Sequence, residues 1–441
     1  MLKKLLAVFL CILMLSLSFS VCAYEPTNVD VSAKAAMLAS LDTGEILYSK
    51  NIDEKVYPAS IAKIMTILLI LEHPDFRPDA RITMVDEVDR WITGTGSAVS
   101  NLAVGEEFSA LDLVYLILMT SCGDCAYLAA IVYGGSVENF VKKMNSRAAE
   151  LGLTGTHYSN PVGLHDEGTY TTVRDIYTLT SYALKNETFK TVCESVRYKM
   201  PATNKSGERT LSTTNFLQDP STNYYYSYAH GVKTGFTDEA GRCLVSTASY
   251  NGYRYLCIVM KCPANLGQRV EFIQSKELFR WAFNNFSFKQ VADANNPVCE
   301  IGVDLSPDTD YLPLYIKNGF ISVLPNESDT STIKIVPHLK QDTVDAPVKK
   351  GTVLGTADIV FAEKTLGTVD LVAGNDVRAS KFLAVVRSVK RVFTSNYMKI
   401  VYVCIGVGVL LFIIAVIRLN SGRKNKRKVR YIPYRDDNHN K

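Results

Sequence analysis

Three short stretches bring together residue types able to attack, deprotonate or hold a substrate. "YPASIAKIMT" (57–66) sets Ser60 three positions before Lys63, where an apolar run begins. Residues three apart on a helix share a face, so this spacing makes the hydroxyl and the amine neighbours. An uncharged amine can take the serine proton and create a nucleophile; an ammonium cannot. Burial or a nearby cation must therefore hold the lysine well below its ordinary pKa. Pro58 limits the chain's entry and favours a helix start, and the free amides of that start favour negative charge near Ser60. "MTSCGDCAYLA" (119–129) places Ser121, a second hydroxyl, between the end of one helix and the start of the next. "HGVKTGFTDEAGRC" (230–243) carries Lys233, Thr234 and Gly235 at a strand edge. They offer a cation for a carboxylate, a hydroxyl for the same group and a site where a substrate backbone can come close.

Alone, S-x-x-K is a weak pattern, and its plain reading is an N-cap serine with a surface lysine. A histidine base is a rival, with His165 or His230 as the candidate and His230 near the site by its distance from Lys233, but no G-x-S-x-G elbow is present. "TGTGS" (93–97) is glycine-rich without a following G-K-S/T, so it reads as a surface loop and not a phosphate cradle. No Cys/His/Asp cluster has metal-ligand spacing, so no metal and no cofactor is expected. Cys122 and Cys125 have the spacing of a redox pair; the plain reading is two small buried residues at a helix start.

Taken together, in this order and with these flanks, the three stretches resemble the serine-type D-Ala-D-Ala carboxypeptidases, the low-molecular-mass penicillin-binding proteins of peptidase family S11. S-x-x-K with K-T-G is a known pairing in penicillin-binding proteins. "SNPVGLHDEGTYTTVRDI" (159–176) and "APVKKGTVLGTADIVF" (346–361) resemble further family segments, and the likeness runs over roughly 33–377. The resemblance implies that Ser60 is acylated, that Lys63 is its general base and that Ser121 relays protons toward the leaving amine. It implies that Lys233, helped by Thr234, holds the terminal carboxylate of the peptide or of penicillin. Gly235 lies in the same binding strand, and the N–H groups of Ser60 and Phe236 would form the oxyanion hole. The implied partners are peptidoglycan stem peptides and β-lactams.

One departure stands out. The family pattern S-x-N reads Ser121-Cys122-Gly123 here, so an asparagine amide expected to contact Lys63 and the substrate amide is missing. Cys122, Asp124 or a water is expected to fill part of that role. Slow deacylation would favour transfer to an amine, so a DD-transpeptidase and an inert penicillin-binding protein stay open beside the carboxypeptidase. A serine β-lactamase also stays open, although no motif supplies a water-activating carboxylate.

These groups must be positioned by a chain of 441 residues, long enough for two or three domains. Two apolar runs around an Asp-Thr-Gly turn (35–50) read as paired strands, and "SALDLVYLILMTS" (109–121) as a buried helix. "VENFVKKMNSRAAELG" (137–152) is amphipathic, and two apolar runs joined by Asn251-Gly252 form a hairpin signal. A helical stretch (266–283) follows. Strands bracketing helices predict an α/β catalytic domain over 28–285, a mixed sheet flanked by helices of the β-lactamase/transpeptidase type. Short alternating runs over 298–377 predict a small all-β domain.

Residues 1–23 read as a secretory signal peptide, with Lys3 and Lys4 before an apolar run of 13 residues (5–17). The segment 381–397 reads as a basic amphipathic helix beside the membrane, with an ordinary packed helix as the alternative. Residues 400–417 are 18 without a charge, a helix of about 27 Å that matches a bilayer core. The transmembrane helix is placed at 400–419 and a basic tail at 420–441. From Arg418 onward nine Lys or Arg face two Asp, which leaves 24–417 with a net charge of about −5. The tail is expected in the cytoplasm and the catalytic domain outside, in a single-pass membrane protein. No basic ectodomain invites nucleic acid. Seven cysteines outside the two apolar segments, an odd and sparse set, indicate no disulfide framework.

Overall fold

The computed structural model describes residues 29–265 and 267–424. The signal segment and the end of the basic tail lie outside the described residues. The chain divides into two compact units, one of residues 1–289 with 321–329, the other of 290–320 with 330–441.

In the first unit a five-stranded sheet runs in the order Ile46–Lys50, Ala35–Ser40, Tyr253–Cys262, Gly241–Tyr250, Ala229–Thr237. Every neighbouring pair is antiparallel. Ala35–Ser40 is buried along its whole length. Successive side chains of a strand point to opposite faces, and the burial follows that rule. Ala35, Met37 and Ala39 join one apolar core with Leu256, Ile258 and Met260; Ala36 and Leu38 join another with Tyr255, Cys257 and Val259. A continuous apolar run here marks a strand covered on both sides, not one facing water. Helix Val270–Asn285 contributes Phe272, Leu278 and Phe279 to the second core. The first core holds the helices around Ser60: Lys63–Leu71, Ala110–Met119, Gly123–Gly134 and Val137–Glu150. This is the expected mixture of sheet and flanking helices, and the 251–252 turn joins the hairpin as predicted.

Lys63–Leu71 is buried on nearly every side, the mark of a central helix. Ser109 caps Ala110–Met119 through a reciprocal box, accepting from Asp112 N while Asp112 accepts from Ser109 N. Such a box fixes where a helix begins, and so where this one delivers its far end, next to Ser121.

The second unit contains a six-stranded sheet ordered Lys334–Leu339, Val353–Phe361, Lys364–Ala373, Tyr311–Ile316, Pro297–Asp304, Thr343–Asp345. Its core gathers Ile301, Leu312, Leu314, Ile359 and Leu371. The β-rich region is present as expected; its segment 321–329 clusters with the first unit. Helix Lys381–Thr394 follows, with Phe382, Val385, Val389 and Phe393 exposed and Arg387 bonded to Asp345. Asn396–Asn420 is one helix long and apolar enough to cross a membrane.

Candidate active site

The residues 57–62 form a tight approach to the serine. Pro58 precedes a 3-10 turn, Ala59–Ala62, which passes directly into the helix beginning at Lys63. Ala59 takes the left-handed conformation, with φ of 47°, a strained position for a residue with a Cβ. Ser60 therefore sits on a short tight turn and not in the regular helix, while Lys63 lies in the first helical turn beneath it. The expected proximity holds: Lys63 Nζ donates to Ser60 Oγ at 2.8 Å and to the Val162 carbonyl at 3.1 Å. Lys63 is fully buried, and burial pushes its pKa down to about 7 while Cys122, Asp124 and Cys125 pull the other way. Of the two expected causes, burial is the larger for Lys63.

Ser60, Ser121, Thr234, Gly235 and Phe236 line one cavity of about 790 Å³. Ser121 occupies the link between Ala110–Met119 and Gly123–Gly134 with a left-handed φ of 63°. Lys233, Thr234 and Gly235 lie within strand Ala229–Thr237, at the open edge of the sheet. A Cβ on Gly235 would press on Pro58 O, Ala59 Cβ and Ile61 Cγ1, each at 3.2 Å, so glycine lets the strand lie against the serine turn. Lys233 is 1% exposed. Burial first, and the charge of Lys63 second, hold its pKa well below the usual lysine range. Two amines behind one wall cannot both hold protons cheaply. A negative charge placed beside Lys233 would favour its protonated form. Thr234 Oγ1 is hydrogen-bonded to Thr214 Oγ1 at 2.7 Å, and Phe236 is exposed, with the Arg242 guanidinium 5.2 Å from its ring centre.

Several wall residues were not legible as such. The 93–97 loop, expected to be plain surface, lines the cavity through Thr95, Gly96 and Ser97. Arg269, anchored at 2.6 Å on Glu271, adds a cation to the wall, and Asp238 and Glu239 stand exposed at its rim. His165 lines the cavity with its ring edge-on to Tyr57 at 4.6 Å, but the group within hydrogen-bonding distance of Ser60 is the Lys63 amine. His230 does not join the site. It is hydrogen-bonded to Ser249 Oγ at 2.8 Å and lines a separate cavity of about 450 Å³; the strand's register shifts between His230 and Val232.

Cys122 and Cys125 are free buried thiols. Their sulfurs and an Asp124 oxygen lie within 4.8 Å of one another, a grouping able to ligate a metal that the sequence spacing did not single out. Asp124 is engaged otherwise, accepting from Ser100 N at 2.8 Å, Ser100 Oγ at 2.5 Å and Cys125 N at 2.8 Å.

Residues 22–264 match a family model described as D-alanyl-D-alanine carboxypeptidase, peptidase S11, and residues 286–379 match the C-terminal domain of penicillin-binding protein 5. The D-alanyl-D-alanine carboxypeptidase DacF of Bacillus subtilis (strain 168) is 30% identical over 354 residues, spanning 80% of this chain and 87% of its own. Penicillin-binding protein 5 from Haemophilus influenzae superposes with a TM-score of 0.66 at 26% identity, over 80% of this chain and 99% of its own. The Streptomyces K15 DD-transpeptidase superposes with a TM-score of 0.54 at 28% identity, over 58% of this chain and 99% of its own.

Proposed function

Because this chain belongs to the peptidase S11 family of D-alanyl-D-alanine carboxypeptidases, we propose that it removes the terminal D-alanine of peptidoglycan stem peptides through an acyl-enzyme on Ser60. The observation that carries this reading is the 2.8 Å approach of a fully buried lysine to a serine hydroxyl on a cavity wall. In the neutral state the Lys63 amine accepts the Ser60 proton as Oγ attacks the carbonyl carbon of the penultimate D-alanine. N–H groups of Ser60 and Phe236 hold the developing oxyanion; one such donor contributes on the order of 3 kcal/mol. The C–N bond then breaks, and the proton passes by way of Ser121 to the departing amine. D-alanine leaves with its carboxylate, which Lys233 and Thr234 had held. Water attacks the ester as Lys63 takes its proton, the bond from the carbonyl carbon to Ser60 Oγ breaks, and Lys63 returns the proton to Oγ as the shortened peptide departs.

Penicillin carries a strained amide and a carboxylate, so the same groups would open its ring and keep it as an ester on Ser60. The helix Asn396–Asn420 supports a single-pass anchor, the exposed apolar side of Lys381–Thr394 supports an interfacial helix before it, and the basic residues beyond support a cytoplasmic tail. Such an anchor keeps a peptidase beside a polymeric substrate outside the cell. The domain limits 28–285 and 298–377 are part of this reading. Transfer to an amine is the second reading, favoured by Gly123 in the third motif position and by the transpeptidase activity named for the Streptomyces neighbour.

The test uses the full chain in detergent with a diacyl-L-Lys-D-Ala-D-Ala peptide, with and without glycine as acceptor, and separately with labelled penicillin. Release of D-alanine with long-lived label on Ser60 is the expected result. A glycine-terminated product at the expense of hydrolysis selects the transpeptidase. Rapid turnover of penicillin selects a β-lactamase, and neither activity would overturn catalysis altogether.

A further inference from the structure

The third motif position is a glycine, and the space beside it is already occupied. A Cβ on Gly123 would lie 2.3 Å from Ser97 Oγ, 2.7 Å from Ile92 Cδ1 and 3.1 Å from Ser97 Cβ. The first of these is far inside van der Waals contact. The hydroxyl of Ser97 thus stands where a side chain at residue 123 would start. Its loop is fastened to the head of helix Gly123–Gly134. Gly123 N donates to the Ala98 carbonyl at 2.7 Å, and Asp124 accepts from both the backbone and the hydroxyl of Ser100. Thr95 Oγ1 donates to the Ile92 carbonyl at 2.8 Å, and Trp91 stacks on Tyr127 with ring centres 5.7 Å apart. Ser97 also lines the cavity that holds Ser60 and Ser121.

We propose that Ser97 supplies, from the 93–100 loop, the polar group that a side chain at residue 123 would otherwise present to the substrate, and that Gly123 is what admits it. The proposal rests on the carboxypeptidase reading above. A serine hydroxyl both donates and accepts, so Ser97 can bond the peptide backbone of the acyl donor and align its scissile carbonyl with Ser60. It holds the substrate and moves no proton. Asp124, the neighbouring polar candidate, is committed to the loop, so it acts on the site by keeping Ser97 in place.

The experiment compares full-length variants in detergent, each checked for a cooperative thermal transition. Ser97→Ala should lower kcat/KM for D-alanine release roughly three- to tenfold, the worth of one neutral hydrogen bond. The acid limb of its pH profile should stay in place, because Lys63 still carries the proton. Ser97→Thr, which keeps the hydroxyl, should restore most of the rate. Gly123→Asn should lose on the order of tenfold or more, since the new side chain must evict Ser97 and shift the site. Adding Ser97→Gly to Gly123→Asn should recover much of that loss, because the polar group returns on the helix and the Ile92 tip can turn aside. Wild-type rates in Ser97→Ala, or a Gly123→Asn enzyme as active as the double variant, would overturn the proposal. If Gly123→Asn fails to fold, the Ser97→Ala and Ser97→Thr pair decides alone. A wild-type chain without D-alanine release or Ser60 labelling would sink the carboxypeptidase reading itself; an active wild type with indifferent Ser97 variants sinks only this inference.

Discussion

A side chain on Gly163 would put its first carbon 1.8 Å from the carbonyl oxygen of Ala59. Gly163 also has a φ of 82°, which L-residues rarely adopt. The 160–164 turn and the serine turn are thus packed backbone to backbone. Asn160 Oδ1 holds the first of them, accepting from Val162 N, Gly163 N and Leu164 N at 3.2, 2.8 and 3.0 Å. The Val162 carbonyl then accepts from Lys63. The geometry of the serine–lysine pair depends on this contact, although Ala59 and Gly163 are far apart in sequence.

Gly163→Ala should therefore separate the two turns and lower the rate of penicillin acylation on the order of 100-fold, the scale of an ångström-sized misplacement. Asn160→Ala should lose about 1–3 kcal/mol of stability, because three N–H groups lose one acceptor. Acylation kinetics and thermal melting check the pair; wild-type acylation in Gly163→Ala would remove the 160–164 turn from the account.

Ser60→Ala should abolish covalent penicillin labelling while the melting temperature changes little. Intact-mass measurement reads the adduct directly. Persistent labelling would assign the ester to another hydroxyl, with Ser121 the first to examine.

The pKa of Lys63 near 7 sets the pH dependence. The base works only when neutral, so acylation kcat/KM should fall tenfold per pH unit well below 7. The stability sign is opposite to that of an ordinary surface lysine. Below 7 both folded and unfolded chains hold the proton, and the folded one must bury it. Between about 7 and 10.5 the folded chain has released it while the unfolded chain keeps it, so this group's contribution to stability rises with pH across that window. Lys63→Met should thus eliminate acylation yet raise thermal stability, most at pH 6 and least near pH 10. Melting curves of both proteins across this range check the sign.

Lys233→Ala should weaken recognition of substrates ending in a free carboxylate by roughly 10- to 100-fold in kcat/KM, the range for a hydrogen bond to a charged group. A peptide ending in a carboxamide should bind the variant and the wild type almost alike. Equal losses on both peptides would point to damage to the fold in place of a missing carboxylate clamp.

Much was legible in the order of residues because it depends on neighbours in sequence. The three-residue step from Ser60 to Lys63 becomes contact through a single turn, the Asn251-Gly252 pair closes a hairpin by its own backbone preference, and the apolar run 400–417 declares a long helix by composition. The apolar run at 35–40 was legible as a strand, and the structure buries it on both faces. The tertiary structure alone decided what meets across long separations: that Ser97 fills the space beside Gly123, that Thr214 bonds Thr234, that the Val162 carbonyl accepts a hydrogen bond from Lys63 and that His230 turns to Ser249. Such contacts depend on how whole layers pack around the sheet, and no local turn or period encodes them. Burial obeys the same division: the sequence names the lysine, but only packing removes water from it and lowers its pKa.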